Sequence, residues 1–207
     1  MSTPNFLNRP LSDAEAVMVD SPDRAAQFIS GYEEAEARLS RPDALGNAAA
    51  WYAAVLGWPV FPLTAGGKTP ATSHGFKDAT TDLDTIRGWW TANPAYNIGL
   101  ATGHGFDVID VDSPAALVLA LHIGLPNFED NSLLATATTP HGFHLYVSPT
   151  GSGNRAGMIP GVDYRGVGGY VVAPPSNLVQ AITGVEGNST VKTLHYRWDA
   201  APVTEAD

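Results

Sequence analysis

Two aspartates one residue apart, Asp110 and Asp112, close the run Gly105-Phe-Asp-Val-Ile-Asp-Val-Asp112. The run reads as a strand, on which residues i and i+2 share a face roughly 6.6 Å apart. Asp110 and Asp112 then project together, and Ile109 and Val111 face the other way. Neighbouring carboxylates repel and are costly to desolvate, and a divalent cation removes both penalties. Taken alone, the pair fits a strand end spilling into solvent as well as it fits a metal site.

A third acid, Asp163, stands between apolar residues in Gly161-Val-Asp-Tyr-Arg165, another expected strand. Three carboxylates converging from neighbouring strands could hold two divalent ions about 3.5–4 Å apart, the arrangement used for in-line displacement at phosphorus. The donors are all oxygen, which suits Mg²⁺ or Mn²⁺ over zinc. Asp110, Asp112 and Asp163 are therefore the expected catalytic and metal-binding residues. His144 follows the turn Thr139-Pro-His-Gly142 on a return strand. It could hydrogen-bond a triphosphate oxygen or sit in the core bonded to backbone. His141, at the turn, could also reach a phosphate. Arg165 shares the face of Asp163 and reads either as its salt-bridge partner or as a nucleotide contact. Lys68 is a lone cation on the loop Ala65-Gly-Gly-Lys-Thr-Pro70, a solvated lysine or a further nucleotide contact. That loop is not a phosphate-binding P-loop, because the position that must be the first glycine is Pro62. His74, His104, His122 and His195 are left in structural roles.

The elements that must position these residues are legible from caps and periodicity. Residues 1–20 read as an irregular lead-in. Ser21-Pro22-Asp23 starts a helix whose stripe is Phe28, Tyr32, Ala35 and Leu39, ending at Arg41-Pro42 and packing on the main domain. A second helix covers Ala44 to Leu56 and stops at Gly57. Trp58 to Leu63 is a short strand, Asp82 or Thr81 caps a helix through Trp90, and Asn97 to Ala101 is a strand. Ser113-Pro114 opens a helix to about Ile123. Leu133–Thr138 and Phe143–Val147 form a hairpin. Residues 148–160 are glycine-rich and read as mobile. Val162–Arg165 and Gly169–Ala173 read as two short strands around a glycine turn, and Tyr196–Trp198 as an edge strand. This order predicts an α/β or α+β domain with a mixed sheet. The expected division is a lead-in and packing helix over 1–43, a catalytic domain over 44–200 and the start of a linker over 201–207.

Bulk properties narrow the classes. The 207 residues suffice for one core plus an appendage. With no cysteine there is neither a disulfide framework nor a thiolate zinc site. No apolar run approaches a signal peptide or a membrane span, which is compatible with a cytoplasmic setting. The net charge is −10, with 8 acidic and 4 basic groups in residues 1–43 and 13 and 7 in the rest. That acidity argues against tight non-specific nucleic-acid binding and for metal-dependent or partner-assisted binding.

The motif order resembles the bifunctional primase-polymerase (prim-pol) family of the archaeo-eukaryotic primase superfamily. The resemblance is carried by Gly57-Trp-Pro-Val-Phe-Pro-Leu63, Lys68-Thr-Pro70, Gly75-Phe-Lys-Asp-Ala-Thr-Thr-Asp82, Ile86 with Trp89-Trp90, and Asn97-Ile-Gly99. Val108-Ile-Asp-Val-Asp112, His144-Leu-Tyr146 and Val162-Asp-Tyr-Arg165 before Gly169-Tyr-Val-Val-Ala-Pro-Pro-Ser176 complete it, over residues 44–200. The family's first motif falls on Asp110 and Asp112, the second on His144 and the third on Asp163. The resemblance implies an RRM-like catalytic sheet beside a smaller α/β unit. It further implies template-directed nucleotidyl transfer from dNTPs or NTPs with two Mg²⁺ or Mn²⁺ ions, on a single-stranded DNA template and primer. It places such a domain in a phage, plasmid or mobile element, beside a helicase domain. Two departures stand out: Gly142 and His141 replace the serine or lysine common before the second-motif histidine, and there is no cysteine zinc stem. A non-catalytic DNA- or partner-binding module and a metal-dependent nuclease remain alternatives.

Overall fold

A computed structural model describes residues 43–124, 133–183 and 189–202. The expected N-terminal lead-in and helix lie outside the described residues, as does most of the expected linker. Residues 42–207 cluster as one compact unit.

Alanine-rich α1 (Ala44–Leu56) ends at Gly57, whose φ of 66° supplies the left-handed cap. The buried strand β1 (Val60–Leu63) follows. A loop and a 3₁₀ turn (Gly75–Asp78) lead to α2 (Leu83–Ala92). The Asp82 carboxylate caps α2 by accepting from the Thr85 amide at 2.8 Å. Strands β2 (Asn97–Ala101) and β3 (Asp107–Val111) come next. Helix α3 (Pro114–His122) is capped by the Ser113 hydroxyl, with proline in its first turn. The remaining elements are β4 (Leu133–Thr138), β5 (Phe143–Val147), β6 (Arg155–Ile159), β7 (Val162–Arg165), β8 (Tyr170–Val172), β9 (Asn177–Thr183), β10 (Ser189–His195) and β11 (Arg197–Ala200).

The strands form a six-stranded sheet in the order β11-β4-β5-β3-β7-β6, a three-stranded sheet β1-β2-β8 and the hairpin β9-β10. Strands β3 and β4 both run antiparallel to β5, which lies between them, and α3 makes the crossover. One face of the large sheet (Ile109, Val111, Leu145, Val162) packs on Ala116 and Ala120 of α3. Its other face (Val108, Ala135, Ala137, Tyr146) packs with α1, α2 and the three-stranded sheet. Packed rings tie that second layer together, with Trp58 stacked 5.7 Å from Tyr146 and tilted 4.2 Å from Phe106.

Tyr52 of α1 locks the layers at one point. Its hydroxyl donates to the Pro174 carbonyl at 2.6 Å and accepts from the Trp198 indole N–H at 3.1 Å. Tyr52→Phe leaves both partners, the buried Pro174 carbonyl and the half-buried Trp198 indole, unsatisfied. A loss of about 1–3 kcal/mol is expected in urea unfolding, and an unchanged midpoint would show that those groups find other partners.

The fold is α+β, with three helices among the described residues and antiparallel ladders throughout. The expected mixed sheet is corrected accordingly: the one parallel contact described is the isolated bridge Gly153–Val167. Strands β3 and β4 point the same way but are kept apart by β5. The glycine-rich stretch read as mobile holds β6, which pairs with β7. Strands β7 and β8 do not pair around their glycine turn; the chain crosses there from the large sheet to the small one. The β9–β10 hairpin has no counterpart among the expected elements. Its residues alternate weakly, because much of it is exposed rather than packed.

Candidate active site

Cross-strand register builds the site. Asp110 on β3 lies directly opposite His144 on β5 and opposite Asp163 on β7. The three side chains therefore form one row across adjacent strands, on the face turned toward the small sheet. Val108 lies opposite Arg165 in the next row, which puts the guanidinium on the same face. On the other side of the row, Asp112 follows the last residue of β3, and its amide donates to the Gly161 carbonyl at 2.9 Å. Gly142 packs against the backbone at Val111 and Asp112 so closely that a Cβ there would overlap the Val111 carbonyl.

The row opens on a cleft of about 320 Å³ lined by Asp110, Asp112, His144, Arg165, Lys68 and His141. Tyr170, Phe76 and Val172 of the small-sheet side and Tyr196 close the opposite walls. Six of the seven residues singled out from sequence thus meet at one cavity. Asp163 does not line it, but touches the group through Arg165.

Arg165 Nη2 donates to Oδ2 of Asp163 at 2.7 Å and to Oδ2 of Asp110 at 3.4 Å. The other Asp163 oxygen accepts from the Gly157 amide at 2.7 Å. His144 Nε2 stands 3.5 Å from Oδ1 of Asp110. Burial, seconded by the positive fields of Lys68 and Arg165, pushes the His144 pKa down to about 3, so the imidazole is neutral at pH 7 and the contact is not an ion pair. Its Nδ1 and the Tyr146 hydroxyl are buried without a hydrogen-bond partner among the described residues. Burial also raises the Asp110 pKa; Arg165 opposes the shift, and the Asp163 carboxylate adds to it. Among the described residues no group of three acidic or histidine side chains stands close enough together to hold a metal ion. Arg165 bridges Asp110 and Asp163 instead. The donor chemistry itself, three carboxylates on one sheet face and its edge, fits a hard divalent cation.

The depressed His144 pKa has a definite consequence. An unfolded histidine titrates near 6.5, so the unfolded chain binds the proton first. The stabilisation is complete above that pH and is lost as pH falls toward about 3. Wild type in metal-free buffer is expected to lose about 2 kcal/mol between pH 6.5 and about pH 5 through this group. His144→Asn should flatten that limb of the denaturation profile; an equal slope in both proteins would assign it elsewhere.

A family model for Prim-Pol, the N-terminal domain of bifunctional DNA primase/polymerase, matches residues 49–206. The chain belongs to the prim-pol family. No curated protein matches it. Membership implies DNA primase/polymerase, and hence nucleotidyltransferase, activity. In this prim-pol chain, no helix among the described residues is long and apolar enough to cross a membrane.

Sequence reasoning missed two buried polar residues, one fastening a loop of the prim-pol cleft and one on the far face of the sheet that bears it. Asn97, buried at the start of β2, donates to the Gly67 carbonyl at 2.9 Å and accepts from the Asn177 amide at 3.1 Å. With the Val179 amide donating to the Gly66 carbonyl at 2.8 Å, it fastens the loop that carries Lys68. Its signal was a lone amide opening an apolar strand. Asp107 is buried on the face opposite Asp110, accepting from the Thr150 amide at 2.8 Å and from the Tyr164 hydroxyl. Its signal was an acid in phase with Ile109 and Val111.

Proposed function

We propose that this domain is a template-directed DNA primase-polymerase core using the cleft between the two sheets. The observation that carries the reading is the row His144–Asp110–Asp163, with Asp112 beside it and three basic side chains at the same opening. Asp110, Asp112 and Asp163 would hold two Mg²⁺ or Mn²⁺ ions, which when bound offset charge on the attacking and leaving oxygens of an in-line displacement. Lys68 and Arg165 carry the positive charge, and His141 a ring nitrogen, suited to a triphosphate. His144, neutral at pH 7, offers an N–H and adds no charge. Together they orient the α-phosphate of a (d)NTP toward a primer 3′-hydroxyl, and pyrophosphate is the leaving group. The apolar walls at Phe76, Tyr170 and Val172 exclude water from the reacting end.

In this reading residues 44–200 are the catalytic domain, and the six-stranded sheet is its RRM-like part. The β3-α3-β4 crossover with β5 inserted supports that comparison. Single-stranded DNA, a primer and (d)NTPs are the ligands, in an element-encoded replication system that includes a helicase.

Primer extension with dNTPs and Mn²⁺ tests the function. Wild type should extend and the double variant Asp110→Ala/Asp112→Ala should not. Equal extension by the two refutes the assignment, and degradation of DNA with metal and no dNTP points to a nuclease. Synthesis on unprimed single strands with labelled dNTPs or NTPs decides priming and sugar preference.

A further inference from the structure

We propose that Arg165 is the counter-ion of the metal-free site, and that a divalent cation must displace its guanidinium to bind between Asp110 and Asp163. The inference rests on the metal-binding reading of those carboxylates. Cross-strand register sets Asp110 directly opposite Asp163, with Cβ atoms about 4.5–5.5 Å apart in such pairs. Two carboxylates held there repel unless a cation intervenes. The sequence supplies one two residues beyond Asp163, on the same face of β7.

The geometry shows how firmly each end is held. The 2.7 Å contact from Nη2 to Asp163 has the length of a charge-assisted hydrogen bond, whereas the 3.4 Å contact to Asp110 is loose. Both contacts run from one nitrogen, Nη2, to an Oδ2 atom of each acid. A metal ion held by the same two carboxylates would compete with the guanidinium for them, by charge and by space. Asp163 keeps its second tether, the Gly157 amide, when the arginine leaves. Arg165 also borders the cleft with Lys68 and His141. Its released guanidinium thus remains where an anionic ligand enters, and occupancy by metal readies the site for a triphosphate.

Mn²⁺ titration of the metal-free chain, with free Mn²⁺ followed by electron paramagnetic resonance, tests this. Arg165→Gln should bind about tenfold more tightly than wild type, since removing a cation at this range is worth a kcal/mol or more. Arg165→Lys should restore most of the wild-type affinity, and Asp110→Asn should abolish binding. In a second measurement, the side-chain nitrogen resonances of Arg165 should shift when Mg²⁺ is added to wild type and stay put in Asp110→Asn. Wild-type or weaker affinity in Arg165→Gln, with Asp110→Asn still inactive in binding, overturns the competition and leaves the metal reading standing. Absence of any Asp110-dependent Mn²⁺ binding overturns both. If Arg165→Gln fails to fold, an Arg165 resonance unmoved at saturating Mg²⁺ decides against the proposal.

Discussion

Asp110→Asn is expected to reduce primer extension at least about 10³-fold while leaving the metal-free protein as stable as wild type or more so. The two effects have separate causes. A carboxylate that helps hold catalytic ions contributes several kcal/mol of charge stabilisation in the transition state, and each 1.36 kcal/mol is tenfold in rate. For folding, the sign is reversed. Burial raises the Asp110 pKa above its ordinary 3.8. Such a group favours folding below the unfolded pKa and loses that contribution as pH rises through the folded one. Once ionised, the carboxylate therefore costs stability, which the neutral amide of Asn does not. The Oδ1 of Asn can still accept from Arg165. Extension assays and urea unfolding on the same preparation check both halves. A variant that is inactive only because it is unfolded would show a lowered midpoint, and one that extends primers normally would remove Asp110 from the chemistry.

Gly142→Ala is expected to be the most damaging single methyl in the described structure, costing about 3 kcal/mol or more. A Cβ at Gly142 overlaps the Val111 carbonyl and crowds the Asp112 backbone. These are backbone atoms of a ladder, so no flexible side chain can give way, and relief requires separating β5 from β3. Those two strands carry His144 and Asp110 opposite each other. Loss of extension should accompany the loss of stability, and Mn²⁺ binding should weaken too. A folded Gly142→Ala variant with the wild-type urea midpoint would show that the turn relaxes freely.

The legibility of the fold followed the strength of its local signals. Helix α1 falls on the expected Ala44 to Leu56 because alanine propensity and a glycine stop agree. The helices opened by Asp82 and Ser113 follow their caps. The hairpin of β4 and β5 follows from apolar alternation around Thr139-Pro-His-Gly142. Strand β6 is hidden in the sequence because Arg155-Ala-Gly-Met-Ile159 is exposed over most of its length and carries no alternation. Strand β8 is visible as a strand but not as a member of another sheet. Its partner β2 lies about seventy residues earlier, and local pattern holds no information on such a pairing.

At the site, the sequence by itself determined which residues have the right chemistry. Carboxylates at 110, 112 and 163, a histidine at 144 and cations at 68 and 165 are read from residue type, alternation and motif order. Alternation also placed Asp110 apart from Ile109 and Val111, since side chains on a strand switch faces at every residue. Only the tertiary structure decided that 144, 110 and 163 stand in one cross-strand row, that Lys68 is carried to the same cleft by a loop pinned through Asn97, and that Arg165 spans two of the acids. The reason is physical: register between distant strands is set by the packing of the whole sheet and its turns, and the balance of charge within a buried row depends on which side chains that register makes neighbours.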